Sequence, residues 1–143
     1  MKIESFDGEF RFLSNFWPSK VHFEGMEFNS VEHAYQAAKT LDHDLRMKIR
    51  NLKTANDAKK AGKRVDLRAD WENVKLSIML GLLREKFAIP ELRQQLLDTG
   101  NAELIEGNWW GDTYWGVCRG RGSNHLGKLL MLVRKEIKDG TQG

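Results

Sequence analysis

The sequence predicts an α+β fold, because helical and strand-like patterns occur along the same chain. Apolar residues recur at helical spacing over 31–38, 71–88 and 126–137. Polar and apolar residues alternate over 20–23, as in a half-buried strand, and 26–28 follows a Glu-Gly turn and can pair back with it. Residues 102–106 are also typical of a strand. At 143 residues the chain is most simply one domain, 1–143.

Composition and charge narrow the class of protein. Apolar and charged fractions of 41% and 30% are ordinary for a globular chain, and a pI near 9.0 fits an anionic partner such as a phosphate ester or nucleic acid. The single cysteine, Cys118, excludes an internal disulfide framework. We expect no signal peptide and no membrane span, and therefore a cytoplasmic protein.

The most informative helix covers residues 29–39. Asn29 is the predicted N-cap, with Glu32 at the spacing of a capping box. Glu32, Gln36 and Lys39 follow at i, i+4 and i+7, so they form a polar line beside the apolar stripe. This line is either one wall of a polar cleft or a capping carboxylate paired with a lysine on a solvated face.

Further elements follow from start and stop signals. Residues 2–28 look β-like, with Asp7-Gly8 as a turn. Short helices are predicted over 42–52 and 54–62, the long core helix 71–88 is capped by Asp70, and Pro90–Asp98 ends at Gly100. The basic run 59–68 is a solvated face or an anion contact. We expect a frayed tail over 138–143.

Other candidate residues lie among aromatic side chains and glycines. Ser14-Asn15, followed by Phe16, is a turn or a polar notch for a ring or ribose. Trp71 belongs to the core or stacks on a base. Residues 107–116 carry three tryptophans, Tyr114 and Asp112 between glycines, and we expect these aromatics to line a site.

The glycine-arginine segment 119–124 precedes the last helix. Arg119 and Arg121, with the helix amides, make a possible phosphate cradle, whereas the simpler interpretation is a flexible loop with Asn124 as N-cap. No cysteine or histidine cluster has metal-ligand spacing, so we expect neither a metal nor a cofactor. Two carboxylates, aromatic walls and a phosphate cradle suit cleavage of a glycosidic bond in a nucleotide-like ligand.

The chain resembles the NADAR, or YbiA-like, family along nearly its whole length. The matching segments are Phe12–Phe16, Ser30–Lys39, Trp71 with Met79, Leu83–Phe87, Leu104–Glu106, Asp112 with Tyr114–Gly116, and Asn124 with Leu126–Met131. The resemblance implies a compact, mainly helical α+β domain with a small antiparallel sheet. It also implies N-glycosidase chemistry on ribosylamine compounds. One branch of the family cleaves ribosylaminopyrimidine phosphates of riboflavin synthesis, releasing ribose 5-phosphate, and another removes ADP-ribose from guanine in nucleic acid.

With that resemblance, roles can be assigned as hypotheses. Glu32 supports the cation at ribose C1 or activates water, Asp112 assists, and Lys39 either attacks C1 as an amine or is only a charge partner of Glu32. The expected substrate contacts come from Ser14, Asn15, Phe16, Gln36, Trp71, Trp115, Gly116, Arg119, Arg121 and Asn124.

Two other classes of function are consistent with the same residues. Basic clusters with aromatics also fit a non-catalytic module that binds single-stranded nucleic acid. The tryptophan cluster could instead be a patch that binds a protein partner. The sequence does not predict an oligomeric state.

Overall fold

A computed structural model describes residues 1–140 of the chain, and the predicted tail residues 141–143 lie outside the described part. The described elements are the strands β1 (Lys2–Ile3), β2 (Val21–Phe23), β3 (Met26–Phe28), β4 (Glu103–Leu104), β5 (Gly107–Asn108) and β6 (Val117–Cys118), a 3-10 helix (Gly8–Leu13), and the helices α1 (Val31–Ala38), α2 (His43–Arg50), α3 (Ala55–Gly62), α4 (Trp71–Lys86), α5 (Pro90–Asp98) and α6 (His125–Lys138). The α+β, mainly helical fold class is therefore confirmed.

The strands pair in twos. β2 and β3 form an antiparallel hairpin in which Val21 pairs with Phe28, as the alternating pattern predicted. Two further pairs within residues 1–140 are parallel, β1 with β4 and β5 with β6. The sheets are thus small, and helices supply most of the packing surface.

The chain divides into two compact units. The middle unit is Asn15–Lys86, and the terminal unit combines Met1–Ser14 with Phe87–Gly143. In the middle unit, α1 packs against α2, α3, α4 and the β2–β3 hairpin. In the terminal unit, α6 packs against α5 and β4, and α5 contacts the 3-10 helix.

Each unit has its own apolar core. Val21, Phe28, Val31, Met79 and Leu83 are among the buried side chains of the middle unit. The buried side chains of the terminal unit include Leu13, Phe87, Leu96, Leu104, Leu130 and Val133.

The helix α1 is unusual because it has no solvent face. Every residue from Val31 to Ala38 is buried, including Glu32 and Gln36. The interpretation of Glu32 as part of a solvated ion pair is therefore wrong. A helix that is enclosed on all sides usually has apolar residues all round, so the polar groups on α1 need partners within the protein or from a ligand.

Most helix boundaries agree with the start and stop signals. Thr54 caps α3 by accepting from the Asp57 amide, and Gly100, with a φ of 63°, follows α5. In α4 the predicted stripe is only partly right, since Ile78 is half-buried while Met79 and Leu82 are fully enclosed.

Two local predictions fail in the first thirty residues and at α4. Residues 8–13 form a 3-10 helix rather than a strand after an Asp-Gly hairpin turn. The Asp70 carboxylate binds the Arg68 guanidinium at 2.6 and 3.2 Å instead of capping α4 with its side chain. The Arg68 guanidinium therefore binds the carboxylate in place of the backbone amides at the start of α4.

Among residues 1–140, no helix is both long and apolar enough to cross a membrane.

Candidate active site

The N-terminus of α1 is capped by Ser30 and not by Asn29. The Ser30 hydroxyl accepts from the His33 amide at 3.0 Å. The His33 ring lies between that hydroxyl, 2.6 Å from Nδ1, and the Leu52 carbonyl oxygen, 3.0 Å from Nε2. Because a carbonyl only accepts, Nε2 donates and Nδ1 is left to accept from Ser30. The capping-box interpretation is therefore wrong, and Glu32 is not needed as a cap.

Glu32 is instead held by Gln36 inside the middle unit. The Gln36 Nε2 atom donates to Glu32 Oε1 at 2.8 Å, and the two residues are only 4% and 7% exposed. The Glu32 backbone amide donates to the Asn15 carbonyl oxygen at 3.1 Å. The predicted neighbours Asn15, Glu32 and Gln36 are thus brought together by the structure.

Two buried acceptor atoms of the middle unit have no hydrogen-bond partner in the described structure. They are Gln36 Oε1 and Asn15 Oδ1. The orientation of the Gln36 amide is fixed, because a carboxylate can only accept and must face the NH₂ group. Asn15 Nδ2 contacts the Met79 sulfur at 3.6 Å. A buried acceptor without a donor costs on the order of 1–3 kcal/mol, so a ligand with hydroxyl groups would recover that cost.

Gly62 of α3 makes room for the Gln36 side chain. A Cβ atom at Gly62 would overlap Gln36 Oε1 and lie 2.6 Å from Gln36 Cδ. The backbone of Gly62 is helical, so the reason for glycine here is the close approach of α3 to α1. Sequence reasoning treated Gly62 only as a helix stop.

Lys39 lies at the C-terminal end of α1, beyond Ala38. Its Nζ atom is 5.5 Å from the centroid of the Tyr35 ring. Burial lowers the pKa of Lys39 below its ordinary value, the Glu32 charge opposes that shift, and the charges of Lys63, Lys75 and Lys59 add to it. The structure therefore places Lys39 close enough to Glu32 for their charges to interact, and a lowered pKa makes a neutral, nucleophilic amine more accessible.

The aromatic candidates of the middle unit differ in exposure. Trp71 is 4% exposed and its ring lies 5.2 Å from that of Tyr35, so it packs in the core. Phe16 is 39% exposed, and Lys59 Nζ lies 5.9 Å from its ring centroid. Phe16 thus presents an accessible ring next to Asn15 in the chain.

Asp112 organises its own loop in the terminal unit. Its Oδ1 atom accepts from the Tyr114 and Trp115 amides at 3.1 and 2.9 Å. Asn108, which sequence reasoning missed, closes the loop by donating to the Asp112 carbonyl oxygen at 2.8 Å and accepting from the Asp112 amide at 3.0 Å. One carboxylate oxygen of Asp112 therefore shapes the turn.

Gly116 and Trp115 follow directly. A Cβ at Gly116 would overlap the Glu106 carboxylate and carbonyl oxygen, so this glycine lets two segments approach closely. Asn108 Nδ2 also donates to Glu106 Oε2 at 3.2 Å. The half-buried Trp115 packs edge-on against Tyr114 with 4.9 Å between centroids. Glu106 is a second acidic group of this loop, and only its place at the end of the predicted strand 102–106 could have suggested it.

The other two tryptophans of this segment are more exposed than expected. Trp109 is 82% exposed and Trp110 48%, and their rings meet edge-on at 5.5 Å. Both border a cavity of about 890 Å³ in the terminal unit, with Glu4, Asp7 and Lys128 also on its wall. The aromatic residues thus line a surface cavity but do not form a closed box.

The backbone cradle predicted at the start of α6 is wrong. The amides of His125 and Leu126 donate to the carbonyl oxygens of Tyr114 and Trp115 at 3.2 and 3.0 Å. These amides are therefore already paired and do not face an anion. Arg119 and Arg121 are exposed in a tight turn closed by paired Cys118 and Arg121 backbone groups. Their side chains remain candidates as exposed cations only.

Asn124 connects α6 to strand β4. It has a left-handed φ of 52° and makes no side-chain cap bond. Its Nδ2 donates to the Leu104 carbonyl oxygen, and its Oδ1 accepts from the Glu106 amide, each at 3.0 Å. Both polar atoms of the side chain therefore have a structural task, and contact with a substrate stays a prediction.

The candidate residues divide between the two units. Asn15, Phe16, Glu32, Gln36, Lys39 and Trp71 belong to the middle unit, whereas Ser14, Asp112, Trp115, Gly116, Arg119, Arg121 and Asn124 belong to the terminal unit. Ser14 is half-buried and ends the 3-10 helix, its amide donating to the Arg11 carbonyl oxygen at 2.9 Å. Within residues 1–140, no three His, Cys, Asp or Glu side chains come together as a metal site.

Comparison with known proteins gives the family. The family model described as NADAR domain matches residues 4–138. The chain belongs to the NADAR family. The N-glycosidase YbiA of Escherichia coli (strain K12) is 40% identical over 131 residues, covering 87% of this chain and 80% of that protein. The NMR structure of the E. coli protein YbiA is similar, with a TM-score of 0.86 and 34% identity over 99% of this chain and 86% of that chain.

A longer NADAR relative has a different name. The riboflavin biosynthesis protein VVA0006 of Vibrio vulnificus is 36% identical over 132 residues, which are 90% of this chain but 36% of that protein. The NADAR chain described here is an enzyme of the N-glycosidase class, a hydrolase acting on N-glycosyl compounds. This conclusion excludes the non-catalytic nucleic-acid-binding module as the function of the whole chain.

Proposed function

We propose that the protein hydrolyses the N-glycosidic bond of phosphorylated ribosylamines, with the ribosylaminopyrimidine phosphates of riboflavin synthesis as substrates. The name of the V. vulnificus relative supports the pathway. The observation that carries the chemistry is the buried Glu32 carboxylate, which accepts from Gln36 Nε2 at 2.8 Å.

Glu32 has the chemistry needed at ribose C1. Breaking the bond between C1 and nitrogen builds positive charge on the sugar and negative charge on the leaving amine. A carboxylate stabilises the first charge more strongly in a buried site than in water. It can also accept one proton from the attacking water as the new C1–O bond forms, while the departing nitrogen takes up a proton.

The unpartnered acceptors fit the hydroxyl groups of a ribose. Gln36 Oε1 and Asn15 Oδ1 are buried acceptors without a donor, and both residues are bonded to Glu32, Gln36 through its side chain and Asn15 through its backbone. A sugar hydroxyl donates to such an oxygen and recovers the cost of its burial. In this proposal Gln36 orients the Glu32 carboxylate through its amide nitrogen.

Lys39 offers a second route through a covalent intermediate. Its lowered pKa increases the fraction of neutral amine near pH 7. The amine would attack C1, the C1–N bond to the base would break as the base takes a proton, and the sugar ring would open to give a Schiff base. Water would then hydrolyse the Schiff base and free both ribose 5-phosphate and the amine.

The terminal unit keeps candidates of its own, which stay predictions. Asp112 has one carboxylate oxygen that does not hold the turn. Trp115 is half-buried and has the kind of ring that stacks on a base, and Arg119 and Arg121 are exposed cations.

The test is a substrate panel read by mass spectrometry. Purified protein would be incubated with a ribosylaminopyrimidine phosphate, ADP-ribosyl-guanosine and ADP-ribosylated guanine in DNA. We expect ribose 5-phosphate from the first substrate at the highest kcat/KM. The Glu32→Gln variant should keep the wild-type melting temperature within a few degrees and lose at least about a thousandfold in kcat.

Release of ADP-ribose as the fastest reaction would contradict the proposed substrate but keep the reaction class. A Glu32→Gln variant with wild-type turnover would remove Glu32 from the chemistry.

A further inference from the structure

The last turn of α1 carries Lys39 and is held from outside the helix. The final four carbonyl oxygens of an α-helix have no partner within the helix itself, so other groups must bind them. Lys39 is the C-cap residue of α1. Partners for this end come from residues 68–71, which lead into α4 and which we call the clamp segment. The Arg68 backbone amide donates to the Lys39 carbonyl oxygen at 2.8 Å.

The Arg68 side chain adds a second contact with the end of α1. Its Nη1 atom donates to the Ala38 carbonyl oxygen in a long hydrogen bond of 3.5 Å. A guanidinium is favourable there, because the C-terminal carbonyl groups of a helix carry partial negative charge. Asp70 binds the same guanidinium with both carboxylate oxygens, at 2.6 Å from Nε and 3.2 Å from Nη2. Such a two-point pair fixes the plane of the guanidinium as well as its position.

Trp71 gives the clamp segment a third contact with α1. Its amide donates to the Arg68 carbonyl oxygen at 3.1 Å, which connects the ring to the same turn. The ring is buried and lies 5.2 Å from that of Tyr35. Tyr35 lies one helical turn before Lys39, whose Nζ atom is 5.5 Å from the Tyr35 ring centroid. The clamp segment therefore contacts both the backbone of Lys39 and the ring beside its amine.

The exposure of the ion pair indicates that its main effect is on placement and not on stability. The Asp70 side chain is 48% exposed, and ion pairs with that much solvent contact usually add little to the free energy of unfolding. The same carboxylate has the chemistry to cap α4 but binds Arg68 instead. The pair thus restricts the geometry at the end of α1, where Lys39 lies.

We propose that Arg68 and Asp70 are positioning residues for the glycosidase reaction, holding the last turn of α1 and with it the Lys39 amine. This inference rests on the proposed function, in which Lys39 is either the nucleophile or the charge partner of Glu32. Both roles depend on where the amine lies, and a shift of about 1 Å near a reacting group can cost about a hundredfold in rate. Neither Arg68 nor Asp70 touches the substrate in this role.

The first test compares four single variants in steady-state kinetics with the best substrate of the panel. Arg68→Gln and Asp70→Asn each break the ion pair, and we expect kcat to fall about tenfold while KM changes less than about threefold. Arg64→Gln and Asp66→Asn are the matched controls, because Arg64 and Asp66 are exposed residues of the same connection between α3 and α4. The controls should keep kcat within about twofold of wild type, and all four variants should melt within a few degrees of it.

The second test asks whether the effect passes through Lys39. Arg68→Gln would be combined with Lys39→Ala, and single-turnover rates with enzyme in excess would be compared in a double-mutant cycle. Because the clamp segment acts by placing the amine, the added substitution should lower the rate by less than about twofold once the amine is gone. A merely structural role would instead cost about tenfold in both backgrounds.

The third test follows the Lys39 side chain without any turnover. Burial lowers the pKa of Lys39, and NMR titration of protein carrying isotope-labelled lysine would measure that pKa, with Lys39→Arg identifying the signal. If the clamp segment keeps Lys39 buried, its pKa should rise toward the ordinary value in both Arg68→Gln and Asp70→Asn. Loss of charge alone would raise the pKa in the first variant and lower it in the second, so a common rise reports displacement. The charged groups that act on Lys39 stay in both variants, namely Glu32, Lys63, Lys75 and Lys59.

Three results would overturn the positioning role. One is wild-type kcat in both Arg68→Gln and Asp70→Asn, and another is an equal loss of rate with and without the Lys39 amine. The third is a pKa of Lys39 that keeps its wild-type value or moves in opposite directions in the two variants. If the panel shows turnover of ADP-ribosyl-guanosine and none of the ribosylaminopyrimidine phosphate, the proposed substrate fails. The same kinetics with ADP-ribosyl-guanosine, together with the titration, would still decide the role of Arg68 and Asp70.

Discussion

Gln36 donates to Glu32 at 2.8 Å from one helical turn away, and Gly62 of the neighbouring helix closes over the same amide. Gln36 on α1 and Gly62 on α3 together therefore hold the buried Glu32 carboxylate in place. The Gln36 oxygen that faces Gly62 has no partner in the described structure. This relationship makes the position of Glu32 sensitive to changes that never touch a substrate.

Gly62→Ala should reduce activity although alanine favours helices. In an ordinary helix interior this substitution stabilises by about 0.5–1 kcal/mol. Here the new methyl group overlaps the Gln36 amide and must displace it from Glu32. We expect kcat to fall about tenfold or more, measured with the best substrate of the panel, with a melting temperature unchanged or lower.

Gly81→Ala is the control for that prediction. Gly81 lies in α4, is exposed, and has no atom within 4 Å of an added Cβ. It should gain the usual helix stability and keep full activity. Equal behaviour of the two variants would show that Gly62 does not position the site.

Lys39→Arg separates the two routes of hydrolysis. Arginine keeps the positive charge but is not an amine nucleophile near neutral pH. If Lys39 attacks C1, the variant should lose at least about a thousandfold in kcat, and borohydride should trap a sugar adduct on the wild-type protein. An arginine variant with near-wild-type turnover and no trapped adduct would leave Lys39 as a charge partner of Glu32.

Because Lys86 is buried, we expect the free energy of unfolding to rise at alkaline pH. It is completely buried in α4, and burial lowers the pKa of Lys86 from 10.5 to about 7. Between these values the unfolded chain holds a proton that the folded chain has released, so the free energy of unfolding increases with pH. The contribution is on the order of a few kcal/mol across that interval.

Lys86→Met isolates this effect. Denaturant unfolding at pH 7, 8, 9 and 10 should show that the free energy of unfolding depends less on pH in the variant than in the wild type. The stability of the variant relative to the wild type should therefore fall as the pH rises. A pH dependence identical to wild type would mean that Lys86 titrates alike in both states.

Asn124→Ala should destabilise by about 1–3 kcal/mol, because two hydrogen bonds to the backbone of Leu104 and Glu106 are lost and alanine tolerates a positive φ poorly. Chemical denaturation measures this change. Asn124→Asp keeps the acceptor for the Glu106 amide but sets a carboxylate oxygen against the Leu104 carbonyl oxygen, so it should also destabilise. If both variants kept wild-type stability but KM rose, Asn124 would be a substrate contact after all.

Local signals predicted much of the fold. Thr54 and the Glu24-Gly25 turn depend on neighbours within a few residues, and the structure places elements where these signals indicate. The prediction that Asp70 caps α4 with its side chain was wrong because the Arg68 guanidinium binds that carboxylate. Helix-cap patterns do not include such a pairing. The prediction of a β-like segment over residues 8–13 was wrong, since these residues form a 3-10 helix. Aromatic residues favour a strand only when a partner strand is available.

The site was predictable only along single helices. The i, i+4 spacing of Glu32 and Gln36 follows from helix geometry, and the structure bears it out. The contact of Gly62 with Gln36 and the bonding of Asn124 to Leu104 connect residues far apart in sequence. No periodicity encodes such pairs, because they depend on how elements pack after they have formed.

The complete enclosure of α1 also limits how this enzyme can change its substrate. Because every residue from Val31 to Ala38 is buried, a larger or charged side chain at any of these positions must displace a packed neighbour. We therefore expect a mutational scan to find no position on α1 where such a substitution leaves stability unchanged. Tolerated substitutions should therefore concentrate on exposed positions of α3, such as Asp57 and Lys60. Laboratory selection for a new ligand is then expected to retain the carboxylate-bearing helix and to alter the groups at its edge.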